Sequence, residues 1–174
     1  EDQITRFEAM RKNVDFDGKI VMDIGCGFAD WYTYMKSKGV KCKYIGVDII
    51  PEFLETCQKK YPEANFLKGN IMVARDELPM ADIVITNGTL NFKQKDISNI
   101  EYTTDYIDYA FEKANEIVIV DFLSTELTPT YPKEDLVFYH DPRIMLDIAF
   151  SHTNNLKLVH DYAPIPQKEA LLIM

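Results

Sequence analysis

The run Val21-Met22-Asp23-Ile24-Gly25-Cys26-Gly27-Phe28-Ala29-Asp30 changes character at its midpoint. Its first half is short and apolar, as a buried strand is. Two glycines follow, and residues 28–38 then read as a helix that Gly39 closes. A strand that turns through glycine into a helix lets the backbone turn tightly. It brings backbone amides close to any ligand at the helix N-terminus. A dinucleotide fingerprint places a third glycine at position 30. Asp30 stands there, which counts against NAD.

Outward from this run, the same alternation of strand and helix repeats. Tyr44-Ile45-Gly46-Val47-Asp48 is a second strand, and Pro51 opens a helix to about Lys60. Asn65-Phe66-Leu67-Lys68 and Asp82-Ile83-Val84-Ile85-Thr86 are the third and fourth strands. Ser98-x-x-Glu101 has the form of a capping box and starts a helix to about Asn115. A fifth strand covers residues 117–122, and Asp141-Pro142 reads as the N-cap and first residue of a helix reaching Ser151. Residues 156–162 and 169–174 are two strands without a helix between them, so they pair antiparallel. The expected fold is therefore α/β and doubly wound. It has a mostly parallel seven-stranded sheet, helices on both faces and a C-terminal antiparallel hairpin. In such a sheet the ligand lies beyond the carboxyl ends of the strands. The polar and glycine residues of this chain stand at those places.

The chain's 174 residues make one domain, spanning 1–174. Apolar residues at 47% and charged residues at 27% exclude the disordered and low-complexity classes. Nineteen basic against twenty-eight acidic residues give a net charge of −9, which argues against a nucleic-acid partner. Cys26, Cys42 and Cys57 form no C-x-x-C pair, and His140, His152 and His160 share no ligand spacing, so no metal is expected. No apolar run approaches the roughly 20 residues of a membrane helix, and no charged-then-apolar leader is expected. A cytoplasmic protein with reduced thiols and no membrane partner is the expectation. The sequence opens on Glu1 rather than Met and closes inside an apolar run, as a chain trimmed at its ends does.

Asp23-x-Gly25-x-Gly27 after an apolar strand resembles motif I of the class I S-adenosylmethionine-dependent methyltransferases. Val47-Asp48 resembles their acidic motif II, Phe66-x-x-Gly69-Asn70 their motif III, and residues 82–90 their motif IV. The resemblance covers nearly the whole chain from about residue 17. It implies S-adenosylmethionine as cofactor, S-adenosylhomocysteine as product, and the Rossmann-like methyltransferase fold. It departs from the family pattern at Ala29, where a third glycine is common, and at Asn70, where Asp is common.

Residue by residue, the resemblance implies that Gly25, Cys26 and Gly27 line the methionine part of the cofactor. Asp23 orients that loop, Asp48 accepts the ribose hydroxyls and Ile49 covers an adenine face. Asn70 and Ile71 meet the adenine edge, and Asn87 and Gly88 lie near the sulfonium. Gln3-x-x-Arg6-Phe7 resembles a segment found before motif I in some small bacterial methyltransferases. It offers Arg6 as a bidentate partner for the cofactor carboxylate. The competing reading of that segment is a solvated helix with Phe7 and Met10 in the core.

The acceptor side is less marked. Asn87-Gly88-Thr89-Leu90 lacks the Asn/Asp-Pro-Pro-aromatic pattern of enzymes acting on exocyclic base amines, and the chain has no Pro-Cys pair. Both point to a small-molecule acceptor, methylated at O or N. His140 is the expected catalytic base, in a loop at the mouth, with Asp141 and Asp121 as alternatives. Asp141 is also explained as a helix N-cap. Residues 124–140, with Pro129 and Pro132, are long enough for a lid. The sequence leaves the oligomeric state open. Two rival functions also stay open: a cofactor-binding module without turnover, and a nucleotide-dependent oxidoreductase.

Overall fold

The computed structural model describes residues 2–70, 73, 78–127, 133–162 and 169–174. Helix α1 (Asp2–Asn13) precedes strand β1 (Ile20–Ile24). Then follow α2 (Asp30–Ser37), β2 (Lys43–Asp48), α3 (Pro51–Lys60), β3 (Asn65–Lys68) and β4 (Ala81–Thr86). A single 3-10 turn at Thr89–Asn91 leads to α4 (Asn99–Lys113), β5 (Ala114–Leu123), α5 (Pro142–Phe150), β6 (Lys157–Val159) and β7 (Glu169–Ile173). The seven strands lie in the order β3-β2-β1-β4-β5-β7-β6. All pairs are parallel except β5–β7 and β6–β7. This is the doubly wound methyltransferase sheet with its antiparallel C-terminal hairpin. β6 is shorter than expected and stops at Val159.

Alternation along the strands divides the apolar residues between two cores. Val21, Ile83, Ile85 and Leu171 face a layer built with Phe7, Met10 and Trp31 of α1 and α2 and with Leu54 of α3. Met22, Val84, Val118, Val120 and Leu172 face the opposite layer, with Tyr106 and Ile107 of α4 and Met145 of α5. Phe7 and Met10 are buried as expected, and Tyr106 and Tyr109 pack in the core. Burial on both faces is why these strands read as continuous apolar runs. Two helix starts were also legible. The Ser98 hydroxyl accepts from Ile100 N at 3.3 Å, and Asp141 Oδ1 accepts from Arg143 N at 2.8 Å.

After β1 the chain builds outward to β2 and β3, then returns and builds the other way through β4 and β5. β1 and β4 are therefore neighbours whose following loops leave in opposite directions, and a crevice opens between those loops. Among the described residues, no helix is long and apolar enough to cross a membrane.

Candidate active site

The loop after β1 is held open by left-handed backbone at Gly25 (φ 79°), Gly27 (φ 52°) and Ala29 (φ 58°). Ala29 thus occupies the conformation that glycine adopts without strain, and it accepts a cost of about 1–2 kcal/mol. This explains why glycine is common at that place. The loop is fastened to the end of β2. Val47 O accepts from Gly25 N at 2.8 Å and from Cys26 N at 3.0 Å. Asp48 Oδ2 accepts from Gly27 N at 2.9 Å, and its Oδ1 accepts from Ile50 N at 3.0 Å. Each Asp48 oxygen keeps a second lone pair for a ligand hydroxyl.

Thr89 packs against this loop from the β4 side. Its hydroxyl donates to Ile24 O at 3.1 Å, and a Cβ on Gly25 would stand 2.3 Å from Thr89 Oγ1. Gly25 is glycine because two strand ends meet there. A cavity of about 250 Å³ lies between the loops, lined by Arg6, Asp23, Gly25, Cys26, Gly27 and Asn87 among others. Six residues chosen from sequence thus converge on one cavity. Asp48 and Gly88 adjoin its walls, Gly88 through a left-handed turn (φ 73°) whose N–H donates to Asp121 Oδ1 at 2.9 Å.

Asp23 is buried, and Tyr44 donates its hydroxyl to Asp23 Oδ2 at 2.8 Å. Burial pushes the Asp23 carboxyl up to about 7, against the opposing effects of Tyr44 and the Asn87 amide. Among the described residues, neither Asp23 Oδ1 nor the amide atoms of Asn87 make a bond of good hydrogen-bond geometry. Buried polar atoms left in this condition on a cavity wall suit a ligand with its own donors and acceptors.

Farther along the crevice, Ile49 and Phe28 are 60% and 49% exposed, and the Phe28 ring lies 4.4 Å from that of Phe53. Ile49 directly follows the end of β2. Asn70 follows β3 at the same edge of the sheet, whereas Ile71 lies outside the described residues.

His140 departs from its expected place. It is fully buried, not at the mouth. Its Nε2 is 2.9 Å from Thr103 Oγ1, and its ring packs edge-on against Phe122 and Phe138. Its own N–H donates to Leu123 O, which ties the loop down onto β5. Burial lowers its pKa to about 4. Asp141, an alternative base, serves as the α5 N-cap, and Asp121 is buried beneath the Gly88 turn. The expected lid is described only at its ends, where Ser124 bridges His140 and Val137 bridges Phe92. Pro129 and Pro132 lie outside the described residues. Among the described residues, no cluster of side chains suits a metal ion.

Its folded-state pKa makes His140 a source of acid lability. The value falls from about 6.5 unfolded to about 4 folded. Stability is therefore full above pH ~6.5 and is lost as the pH falls toward 4, by up to about 3 kcal/mol. Asp23, with its raised pKa, gives the opposite slope over the same range. The His140 contribution is thus the difference between wild type and His140→Gln in urea melts from pH 4 to 7. We expect the gap between the two proteins to narrow as the pH falls. A constant gap would contradict the burial of a neutral imidazole.

A seven-stranded sheet with reversed β7, and a glycine loop fastened to an acidic strand end, define the Rossmann-like methyltransferase fold. A family model described as a methyltransferase domain matches residues 21–102. Among curated proteins, Putative methyltransferase Rv1506c from Mycobacterium tuberculosis is 24% identical over 148 residues, covering 82% of this chain and 86% of that protein. Magnesium protoporphyrin IX methyltransferase from Synechocystis, solved with bound S-adenosylhomocysteine, superposes with a TM-score of 0.71 at 15% identity, over 99% of this chain and 81% of that one. A methyltransferase from Archaeoglobus fulgidus gives 0.69 at 15% identity, over 99% and 93%. The chain thus matches a methyltransferase domain over residues 21–102 and shares the fold of S-adenosylmethionine-dependent methyltransferases.

Proposed function

We propose that this protein transfers the methyl group of S-adenosylmethionine to a small molecule, at O or N. The observation that carries the cofactor reading is the convergence of Arg6, Asp23, the Gly25–Gly27 loop and Asn87 on one cavity at the β1–β4 crevice. The cofactor supplies an electrophilic methyl on a sulfonium. Asp23 and Asn87 receive the amino-acid group, and Arg6 holds its carboxylate. Asp48 receives the ribose hydroxyls, Ile49 and Asn70 with Ile71 flank the adenine, and Gly88 with Asn87 borders the reacting methyl. The net charge of −9 and the unproline-like turn Asn87-Gly88-Thr89-Leu90 support a small acceptor over a nucleic acid. The three free cysteines fit a reduced, cytoplasmic setting.

The buried neutral His140 favours a mechanism that rests on alignment of the acceptor, which arrives deprotonated or loses its proton to water. His140→Gln is then expected to keep turnover within about tenfold and to leave no inflection near neutral pH in kcat/KM. A loss of about 10²–10⁴-fold, with such an inflection in the wild type, would restore His140 as general base. The function itself is tested by a screen of small alcohols, phenols, carboxylates and amines with S-adenosylhomocysteine release as readout. Tight cofactor binding without release across the panel would leave a binding module in place of an enzyme.

A further inference from the structure

Arg6 has two buried carboxyl groups beside it, Asp121 and Glu169, where one partner would neutralise it. Its Nε lies 3.3 Å from both Glu169 Oε2 and Asp121 Oδ2, and its Nη2 donates to Glu169 Oε1 at 2.6 Å. All three side chains are shielded from water, at 11% exposure for Arg6, 0% for Asp121 and 5% for Glu169. Two buried carboxylates against one guanidinium are a costly arrangement, and a single partner would serve stability better. Sequence separation is large as well. Glu169 reaches this place only because β7 runs antiparallel. Its first residue pairs with Leu123 and so stands at the carboxyl edge of β5.

The geometry leaves one side of the fork open. Glu169 and Asp121 take up the Nε edge of the guanidinium. Among the described residues nothing bonds to Nη1, which would lie 3.5 Å from a Cβ on Gly88. That side borders the Gly88 turn, next to Asn87 and the cavity that Arg6 lines. Asp121 also accepts from Gly88 N, so a single carboxylate fixes both the turn and the cation. A planar cation held along one edge cannot rotate, and its remaining N–H groups keep a fixed direction.

We propose that Asp121 and Glu169 are positioning residues. They set the Arg6 fork so that its open side meets the carboxylate of the cofactor's amino-acid part, and they thereby select ligands that carry it. The proposal rests on the reading of Arg6 as the carboxylate's partner.

Calorimetry with two ligands separates the roles. S-adenosylhomocysteine carries the amino-acid part, and 5′-methylthioadenosine has the same nucleoside and thioether without it. In Glu169→Gln and Asp121→Asn, affinity for S-adenosylhomocysteine is expected to fall about 10-fold, while that for 5′-methylthioadenosine stays within about twofold. Thermal melts accompany each variant. If Glu169→Gln does not fold, Glu169→Asp keeps the charge but withdraws it by one methylene, and the same selective loss is expected. Equal losses for both ligands, or none for either, would overturn the positioning role. Arg6→Ala tests the underlying reading separately. An unchanged ratio of the two affinities in that variant would remove Arg6 from the carboxylate, and the positioning role with it. A selective loss in Arg6→Ala but not in the Glu169 and Asp121 variants would keep the first and reject the second.

Discussion

Gly27→Val is expected to abolish S-adenosylmethionine binding, with affinity falling more than about 100-fold, or about 2.7 kcal/mol, while the fold persists. A Cβ at Gly27 meets nothing within 4 Å, and the residue lines the cavity. The valine side chain would occupy ligand space, not protein space. The left-handed backbone (φ 52°) adds strain of about 1–2 kcal/mol, which lowers Tm by several degrees. The neighbouring glycine behaves differently. At Gly25 the added Cβ would strike Thr89, so Gly25→Val is expected to damage the loop itself. Calorimetry and melting on the two variants check the contrast. Wild-type affinity in folded Gly27→Val would place the cofactor elsewhere.

Asp48→Ala is expected to weaken cofactor binding by roughly 10- to 150-fold, the worth of charged hydrogen bonds at about 1.5–3 kcal/mol. The carboxylate has two tasks. It accepts from Gly27 N and Ile50 N, which shapes the loop, and it offers its remaining lone pairs to the ribose. Asp48→Asn distinguishes them, since an amide oxygen still accepts one backbone N–H but carries no charge. We expect Asp48→Asn to retain most of the wild-type Tm and lose most of the affinity. Unchanged affinity in Asp48→Ala would sink the ribose assignment.

Much of the site was legible because its chemistry is local. Gly25 and Gly27 lie one and three residues past β1, Asp48 ends β2 and Asn87 directly follows β4, and the fold brings strand ends together without further information. Arg6 was readable as a candidate from its place in Gln3-x-x-Arg6-Phe7, but its partners were not. Glu169 lies 163 residues away and looks like the start of an ordinary strand. His140 misled for a related reason. Phe138-Tyr139-His140-Asp141-Pro142 has the composition of an exposed turn before a helix. Exposure depends on Thr103 and Phe122, which arrive from α4 and β5.

The sequence by itself determined the order of strands and helices, the glycine turn and the carboxylate opposite it. These follow from periodicities of two and of 3.6 residues, and from backbone conformations that only certain residues adopt cheaply. The tertiary structure alone decided which charges face each other and which are dry. Inserting β7 antiparallel beside β5 carried Glu169 to Arg6, and packing α4 over the end of β5 closed water out from His140. Burial and charge pairing are properties of neighbours in space. A side chain's protonation and its role were therefore settled only when distant segments met.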